Sequence, residues 1–369
     1  MATYVFSDVH GHAATLQRLL DRVSPAADDR IFMLGDMIDR GPDPVSVLKT
    51  CRDLTQAGGC VLLGNHEDLM LGFYETSNDL AGVAAGTWLV NGGSTTLEGL
   101  DALPVAEKID LLDWVDNLPL YAYAVAEGRP YIMVHAGIRA GIAGAPTAAS
   151  AGETRVSAAA SAVGATADAP TDASAGATSE ISADASFDSQ SQEDAASDAS
   201  SSTPDAPGAP AGEGAGSAAP DETAVLVPAA PDGASSEESE PAPLIMGWSD
   251  LDLQALLAVQ DTDDLLWIRD DFWSRPTGLL DERGQGPIVI AGHTPTPYLT
   301  NMADHPDRLP LDENGLGRMV KVGACAETYG IADRWDIDCG AAGGAGFGNI
   351  LLLRLDDEVE FYEPILEGE

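Results

Sequence analysis

Thr3-Tyr4-Val5-Phe6-Ser7-Asp8-Val9-His10-Gly11 decides the reading of this chain. Its first four residues are β-branched, aromatic or apolar and read as a short buried strand. Beyond the turn at Gly11, Leu16, Leu19, Leu20 and Val23 recur at the i, i+3, i+4, i+7 spacing of one helix face. A strand that runs into Asp8-x-His10 and then into a helix sets a carboxylate and an imidazole on one loop. Both suit a divalent cation. One such loop alone reads as a polar turn, so the weight falls on the four that follow.

Residues 30–34 form a second apolar strand and end in Gly35-Asp36-Met37-Ile38-Asp39-Arg40-Gly41. Pro42 and Pro44 then start a helix near Val45, Val47 and Leu48, where proline is tolerated. Residues 60–63 end in Gly64-Asn65-His66-Glu67, with a helix expected over 68–74. Residues 88–97, with Asn91-Gly92-Gly93, read as a loop. Residues 105–118 are amphipathic and 120–125 alternate like a strand. Residues 131–134 form a strand ending in His135-Ala136-Gly137. Further on, 251–259 reads as a helix, and 263–272 as one more helix presenting Arg269. Residues 287–291 form a strand into Gly292-His293-Thr294. Strands are expected at 318–322, 335–338 and 349–355. Glycine-rich residues 340–348 lack a following helix, so they read as a tight turn between strands rather than a phosphate loop.

Between these halves the texture changes. Residues 142–247 are Ala, Ser, Gly, Pro, Asp and Glu, with 17 acidic residues against Arg155, a net of −16. Such composition cannot repay the entropy of ordering, so a disordered acidic insertion is expected. It splits one domain into residues 1–141 and 248–369. Loop closure grows by only ~0.6 kcal/mol per doubling of length, so the core tolerates it. The apolar island at 224–228 reads as chance composition. The whole chain of 369 residues carries −42, which argues against nucleic acid or an anionic membrane as partner. Cys51, Cys60, Cys325 and Cys339 show no C-x-x-C spacing and read as reduced thiols. With no leader pattern and no apolar run of the roughly 20 residues that span a bilayer, a cytoplasmic protein is expected. Oligomeric state is not legible.

Four of six histidines fall just after strands, with His12 and His305 read as surface residues. In α/β folds, ligands bind outside the carboxyl ends of strands. The five loops therefore point to a two-metal centre for phosphoryl displacement, with arginines clamping phosphate and an aspartate-held histidine donating a proton. As an ordered set, Asp8-x-His10, Gly35-Asp36-x-x-Asp39-Arg40-Gly41, Gly64-Asn65-His66-Glu67, His135-Ala136-Gly137 and Gly292-His293-Thr294 resembles the motifs of the phosphoprotein phosphatase family of calcineurin-like metallophosphoesterases. The match covers roughly 1–141 and 248–355; the acidic insertion departs from it.

The resemblance implies an α/β fold, a β-sandwich flanked by helices. It implies that Asp8, His10 and Asp36 hold one divalent ion and Asn65, His135 and His293 a second, with Asp36 bridging. Mn²⁺ is the expected ion, and Fe or Zn²⁺ are compatible. His66 with Asp39 becomes the general acid, and Arg40 binds the phosphate. Leu266-Trp267-Ile268-Arg269 is similar to bacterial members, which gives Arg269 a second phosphate contact; the alternative is a surface ion pair with Asp270 or Asp271. The expected activity is a bacterial-type serine/threonine protein phosphatase acting on a phosphorylated protein or a small phosphoester. The alternative is a symmetrical diadenosine-tetraphosphate hydrolase, which shares all five motifs. A dead phosphopeptide-binding scaffold is disfavoured because no ligand position is substituted.

Overall fold

Two five-stranded mixed sheets lie face to face. The computed structural model describes residues 1–76, 82–141, 246–302 and 310–369. The insertion, apart from Met246 and Gly247, lies outside the described residues, as do the apolar island at 224–228 and His305. The first sheet holds β1 (Thr3–Phe6), β2 (Arg30–Met33), β3 (Cys60–Val61), β9 (Asn349–Arg354) and β10 (Val359–Pro364), in the order β10-β9-β1-β2-β3. The second holds β4 (Tyr121–Ala126), β5 (Arg129–Val134), β6 (Ile288–Ala291), β7 (Val320–Val322) and β8 (Arg334–Asp336), in the order β4-β5-β6-β8-β7. Within them β1, β2 and β3 run parallel, as do β5, β6 and β8.

Alternation along the strands builds three apolar layers. Val5, Met133, Ile290, Trp335, Leu351 and Leu353 meet between the sheets. Phe6, Met33, Ile350 and Leu352 face the other way. They are covered by α1 (Ala13–Val23), α2 (Pro44–Gln56), α3 (Asn65–Glu75), α4 (Val83–Val90), α5 (Ser94–Asp101) and α6 (Val105–Asp116). Ile132, Val134, Val289 and Ala291 face the second group, α7 (Asp250–Ala258), α8 (Thr262–Trp267) and the single turn α9 (Asp270–Trp273). The result is the expected sandwich of two sheets between helices. Local signals agree with it: Pro44 is the first residue of α2, and Asp43 caps that helix by accepting the Ser46 N–H at 3.1 Å.

Three local readings need correction, and one strand was not read at all. Trp88 belongs to α4 rather than a loop, and its indole is fully buried. Residues 263–272 are not one helix: α8 stops at Trp267, Ile268 is extended, and Arg269 sits at the break with φ −129° and ψ −94°. His12 is buried at the start of α1, not a surface residue. Strand β10 pairs with β9 over its whole length, although its mixed Val-Glu-Phe-Tyr-Glu-Pro pattern shows no clean alternation.

Candidate metal centre

The parallel strands all point their carboxyl ends to one place. Asp8 and His10 follow β1, Asp36 follows β2, and Asn65 follows β3. His135 follows β5, His293 follows β6, and Asp338 follows β8. Every one of these side chains is buried. Asp338 is the member that the sequence did not mark.

Backbone geometry concentrates here too. Asp8, His10, Asp36, Asp39, Arg40 and His293 all adopt left-handed φ, between +46° and +71°. Such strain persists only where surroundings fix it, and it gathers at functional sites. Two motif glycines are steric necessities. A Cβ on Gly64 would lie 2.2 Å from the Asp36 nitrogen, and one on Gly292 would lie 2.0 Å from Asp8 Oδ2.

The Asp36 carboxylate lies between two groups of imidazoles. Its Oδ2 is 3.6 Å from His10 Nε2 and 3.9 Å from His66 Nε2, and its Oδ1 is 3.4 Å from His135 Nε2. It also accepts the His66 N–H, at the N-terminus of α3, at 3.1 Å. Burial pushes the Asp36 carboxyl up, but His135, His66, His10 and His293 outweigh burial and hold it below the usual carboxylate range.

The donor set fits divalent cations. His10 Nδ1 donates to the Ile38 carbonyl at 3.1 Å and His135 Nδ1 to the Leu34 carbonyl at 2.8 Å, which leaves each Nε2 lone pair bare. Burial keeps both imidazoles neutral, and together with His135 and Arg269 it pushes His293 down to about 2. Asn65 Oδ1 stands 2.8 Å from His135 Nε2 and 2.9 Å from His293 Nδ1. With the amide turned this way, acceptors of Asn65, His135, His293 and Asp36 converge with no proton between them, which a cation satisfies. Turned the other way, the amide nitrogen donates to the same atoms. Among the described residues, two clusters have all their ligand atoms within 4.8 Å of one another: His10, Asp36 and His66, and Asp36, His135 and His293. Asp8 belongs to neither. Its carboxylate accepts the His293 N–H at 3.1 and 3.2 Å, and burial, with Asp338 and Asp36 nearby, pushes it well up.

Around this centre stands a second layer of fixed groups. His66 Nδ1 bonds Asp39 Oδ2 at 2.6 Å, while its Nε2 lies 3.4 Å from Arg40 Nη2. Asp39 also accepts the Trp88 indole N–H at 3.0 Å and the Thr96 hydroxyl at 2.6 Å. Glu67, fully buried, accepts four backbone N–H groups: Asp36 at 2.9, Met37 at 2.8, Ile38 at 3.2 and Gly64 at 3.0 Å. Trp88 and Thr96 carry no signal as site residues in the sequence, since they act through contacts 49 and 57 residues away in the chain. Glu67 stands in the Gly64-Asn65-His66-Glu67 motif, but its bonds to residues 36–38 are not legible there.

A cavity of about 320 Å³ opens onto the centre, with His10, Asp36, Asn65, His66 and His293 in its wall and Arg40 and Arg269 among its lining. Arg269 donates to the His293 carbonyl at 3.0 Å. Of the two ion-pair alternatives, Asp271 pairs instead with Arg139 and Arg275 at 3.6 Å.

Residues 1–150 match the family model for calcineurin-like phosphoesterases. Among curated relatives, the symmetrical bis(5'-nucleosyl)-tetraphosphatase of Erwinia tasmaniensis is 36% identical over 142 residues, 37% of this chain and 45% of that protein. The same-named protein of Dechloromonas aromatica is 37% identical over 140 residues, 37% and 44% of the two chains. The chain thus spans about half the length of the curated relatives it matches. A solved structure provisionally described as a diadenosine tetraphosphatase overlaps 99% of this chain and 94% of its own, with a TM-score of 0.43 and 13% identity. The curated relatives overturn the expectation of a serine/threonine protein phosphatase. That expectation rested on the Trp267-Ile268-Arg269 wording alone, since the metal motifs are common to both activities. Over residues 1–150, which carry four of the five motif loops on the ends of parallel strands, the chain is similar to calcineurin-like phosphoesterases.

Proposed function

We propose that the chain hydrolyses dinucleoside tetraphosphates symmetrically, with divalent cations at the centre described above. The convergence of neutral imidazoles, Asn65 and Asp36 beside an aspartate-held histidine and two arginines supports the phosphoryl chemistry, and the observation that carries the choice of substrate is the set of curated relatives named as symmetrical bis(5'-nucleosyl)-tetraphosphatases. Asp8, His10 and Asp36 would hold one ion, and Asn65, His135 and His293 a second. The imidazole, carboxylate and amide donors accept Mn²⁺, and equally Fe or Zn²⁺. When bound, such ions supply Lewis-acid stabilisation of phosphate oxygens and lower the pKa of water.

The protein's own groups then have defined tasks. Arg40 and Arg269, both on the cavity wall, bind non-bridging phosphate oxygens; their planar forks match phosphate geometry. His66 holds a proton on Nε2. Asp36 and Asp39 more than offset burial there and raise its pKa above that of free histidine. That proton passes to the bridging oxygen that departs. Water adds its hydroxyl to one central phosphorus as that phosphorus loses its bond to the central bridging oxygen, which departs with the other half and takes the His66 proton, so both products are nucleoside diphosphates.

Separation of products from diadenosine tetraphosphate and the Mn²⁺-loaded chain tests this. ADP as sole nucleotide product is expected. AMP with ATP would overturn the symmetrical cut, and no turnover at all would overturn the substrate class.

A further inference from the structure

Beside the cavity lies a shallower groove of about 520 Å³, lined by Arg139, Asp263, Asp264, Asp270 and Asp271 among others. Trp267 and Arg269 line both, so the groove continues the cavity outward. The break between α8 and α9 produces this arrangement by turning both side chains toward the centre.

Trp267 is 37% exposed, unusual for an indole whose neighbours are buried ligands. It is nevertheless held in place. Its ring meets His293 edge to face, with centroids 6.0 Å apart and planes at 83°, and its N–H reaches the Asp68 carboxylate. A fixed, partly open aromatic surface next to a phosphate clamp is what a nucleobase stacks upon. The charge pattern points the same way. The groove carries four aspartates against two arginines, so phosphates are drawn to Arg40 and Arg269 in the cavity. A neutral base with exocyclic N–H donors suits the carboxylates of Asp263 and Asp270. We infer that Trp267 is a stacking platform for one nucleobase of the substrate and so selects nucleotides over simple phosphoesters. This rests on the tetraphosphatase reading for the identity of the substrate, but the platform can be tested apart from it.

The test is calorimetric binding of AMP and of ribose 5-phosphate to the Mn²⁺-loaded full chain. The two probes share a phosphate and a ribose and differ in the base. Stacking predicts that AMP binds roughly 5- to 150-fold tighter. In Trp267→Leu, which keeps apolar bulk without an aromatic face, the two affinities should become nearly equal. Trp267→Tyr should restore part of the gap. A preference for AMP that survives in Trp267→Leu overturns the inference, as does its loss in Tyr298→Ala with Trp267 intact, since Tyr298 also lines the cavity and is 72% exposed. Trp267-dependent AMP binding by a chain that leaves diadenosine tetraphosphate uncut would sink the proposed reaction and keep the platform. Tetraphosphate cleavage with no discrimination between the probes would do the reverse.

Discussion

Glu67 tests whether the metal loop is held from behind. Its Oε1 serves Met37 and Ile38, and its Oε2 serves Asp36 and Gly64. Glu67→Gln replaces one oxygen by an NH₂ group, which faces two N–H donors it cannot accept. Each buried donor left unpaired costs about 1–3 kcal/mol, so the variant should lose roughly 2–6 kcal/mol. Against a typical total of about 5–15 kcal/mol the protein still folds, whereas Glu67→Ala strands all four donors and should not. Urea denaturation of the metal-free protein reads the effect. With a slope of about 2–3 kcal/mol per molar, the midpoint should fall by roughly 0.7–3 M at unchanged slope. The same change loosens the Asp36 loop, and chelator competition should show metal affinity down about 10–100-fold, as for other groups that orient ligands. A midpoint shift under about 0.3 M with unaltered metal affinity would refute the claim that Glu67 fixes this loop.

Further outcomes follow from the same contacts. His66→Ala should lower kcat on diadenosine tetraphosphate about 10²-fold, the low end for general acids, because the departing phosphate has a second pKa of about 6; an unchanged rate would remove His66 from proton delivery. Trp88→Phe deletes an N–H donor to the buried Asp39 carboxylate and should cost about 1.5–3 kcal/mol in urea titration, and no shift would mean Thr96 and His66 suffice. The Arg18 guanidinium and the Thr15 hydroxyl hold the Glu369 carboxyl down to about 2, so this contact stabilises above the free carboxyl's pKa of about 4.3 and is lost as pH falls through 2. Being part-exposed it is worth under about 1 kcal/mol; Glu369→Gln should lower Tm slightly at pH 7 and not at pH 2, and an equal drop at both would contradict the linkage. Burial pushes the Cys60 thiol up to about 11 and Cys51 and Cys339 also lie inside, so a disulfide reagent at pH 8 should label exposed Cys325 quickly, and a second fast thiol would count against this packing.

The five ligand loops were legible because each follows an apolar strand, and parallel strands deliver their ends to one edge. Asp338 was not, because Trp335-Asp336-Ile337-Asp338 alternates like any strand. Only the pairing of β8 with β6 carries its end to the site. Trp88 and Thr96 escaped for a related reason: their bonds to Asp39 span 49 and 57 residues, and no local pattern encodes them. The break at Arg269 hid inside an uninterrupted helical pattern. There tertiary contacts prevailed over propensity, with Asp264 held by Arg139 at 2.6 Å and Phe272 packed where a Cβ on Gly137 would reach it at 2.6 Å. The choice of substrate was illegible in a different sense. The metal motifs encode how phosphate is attacked, and what hangs from the phosphate is read elsewhere on the surface.

The residue types at the centre answer two demands at once. A loop that leaves a strand end and turns at once into a helix needs left-handed backbone, which costs a residue with a Cβ roughly 1–2 kcal/mol. Glycine would relieve that strain and supply no ligand. Aspartate and histidine are among the few other residues that enter this region readily, and they are also the commonest hard and borderline cation ligands. On the proposed assignment, Asp8, His10, Asp36 and His293 therefore satisfy the turn and the metal with one side chain each. Arg40 has no such aptitude at φ +68°. Its conformation is fixed by a backbone bond to the Gly92 carbonyl at 3.0 Å, and Gly92 itself leaves no room for a Cβ, which would lie 2.7 Å from Arg40 Cγ. Arg40, on the cavity wall, is thus set by the turn between α4 and α5, the stretch that also brings Trp88 and Thr96 to Asp39. One helical hairpin positions Asp39, the partner of His66, and Arg40 together.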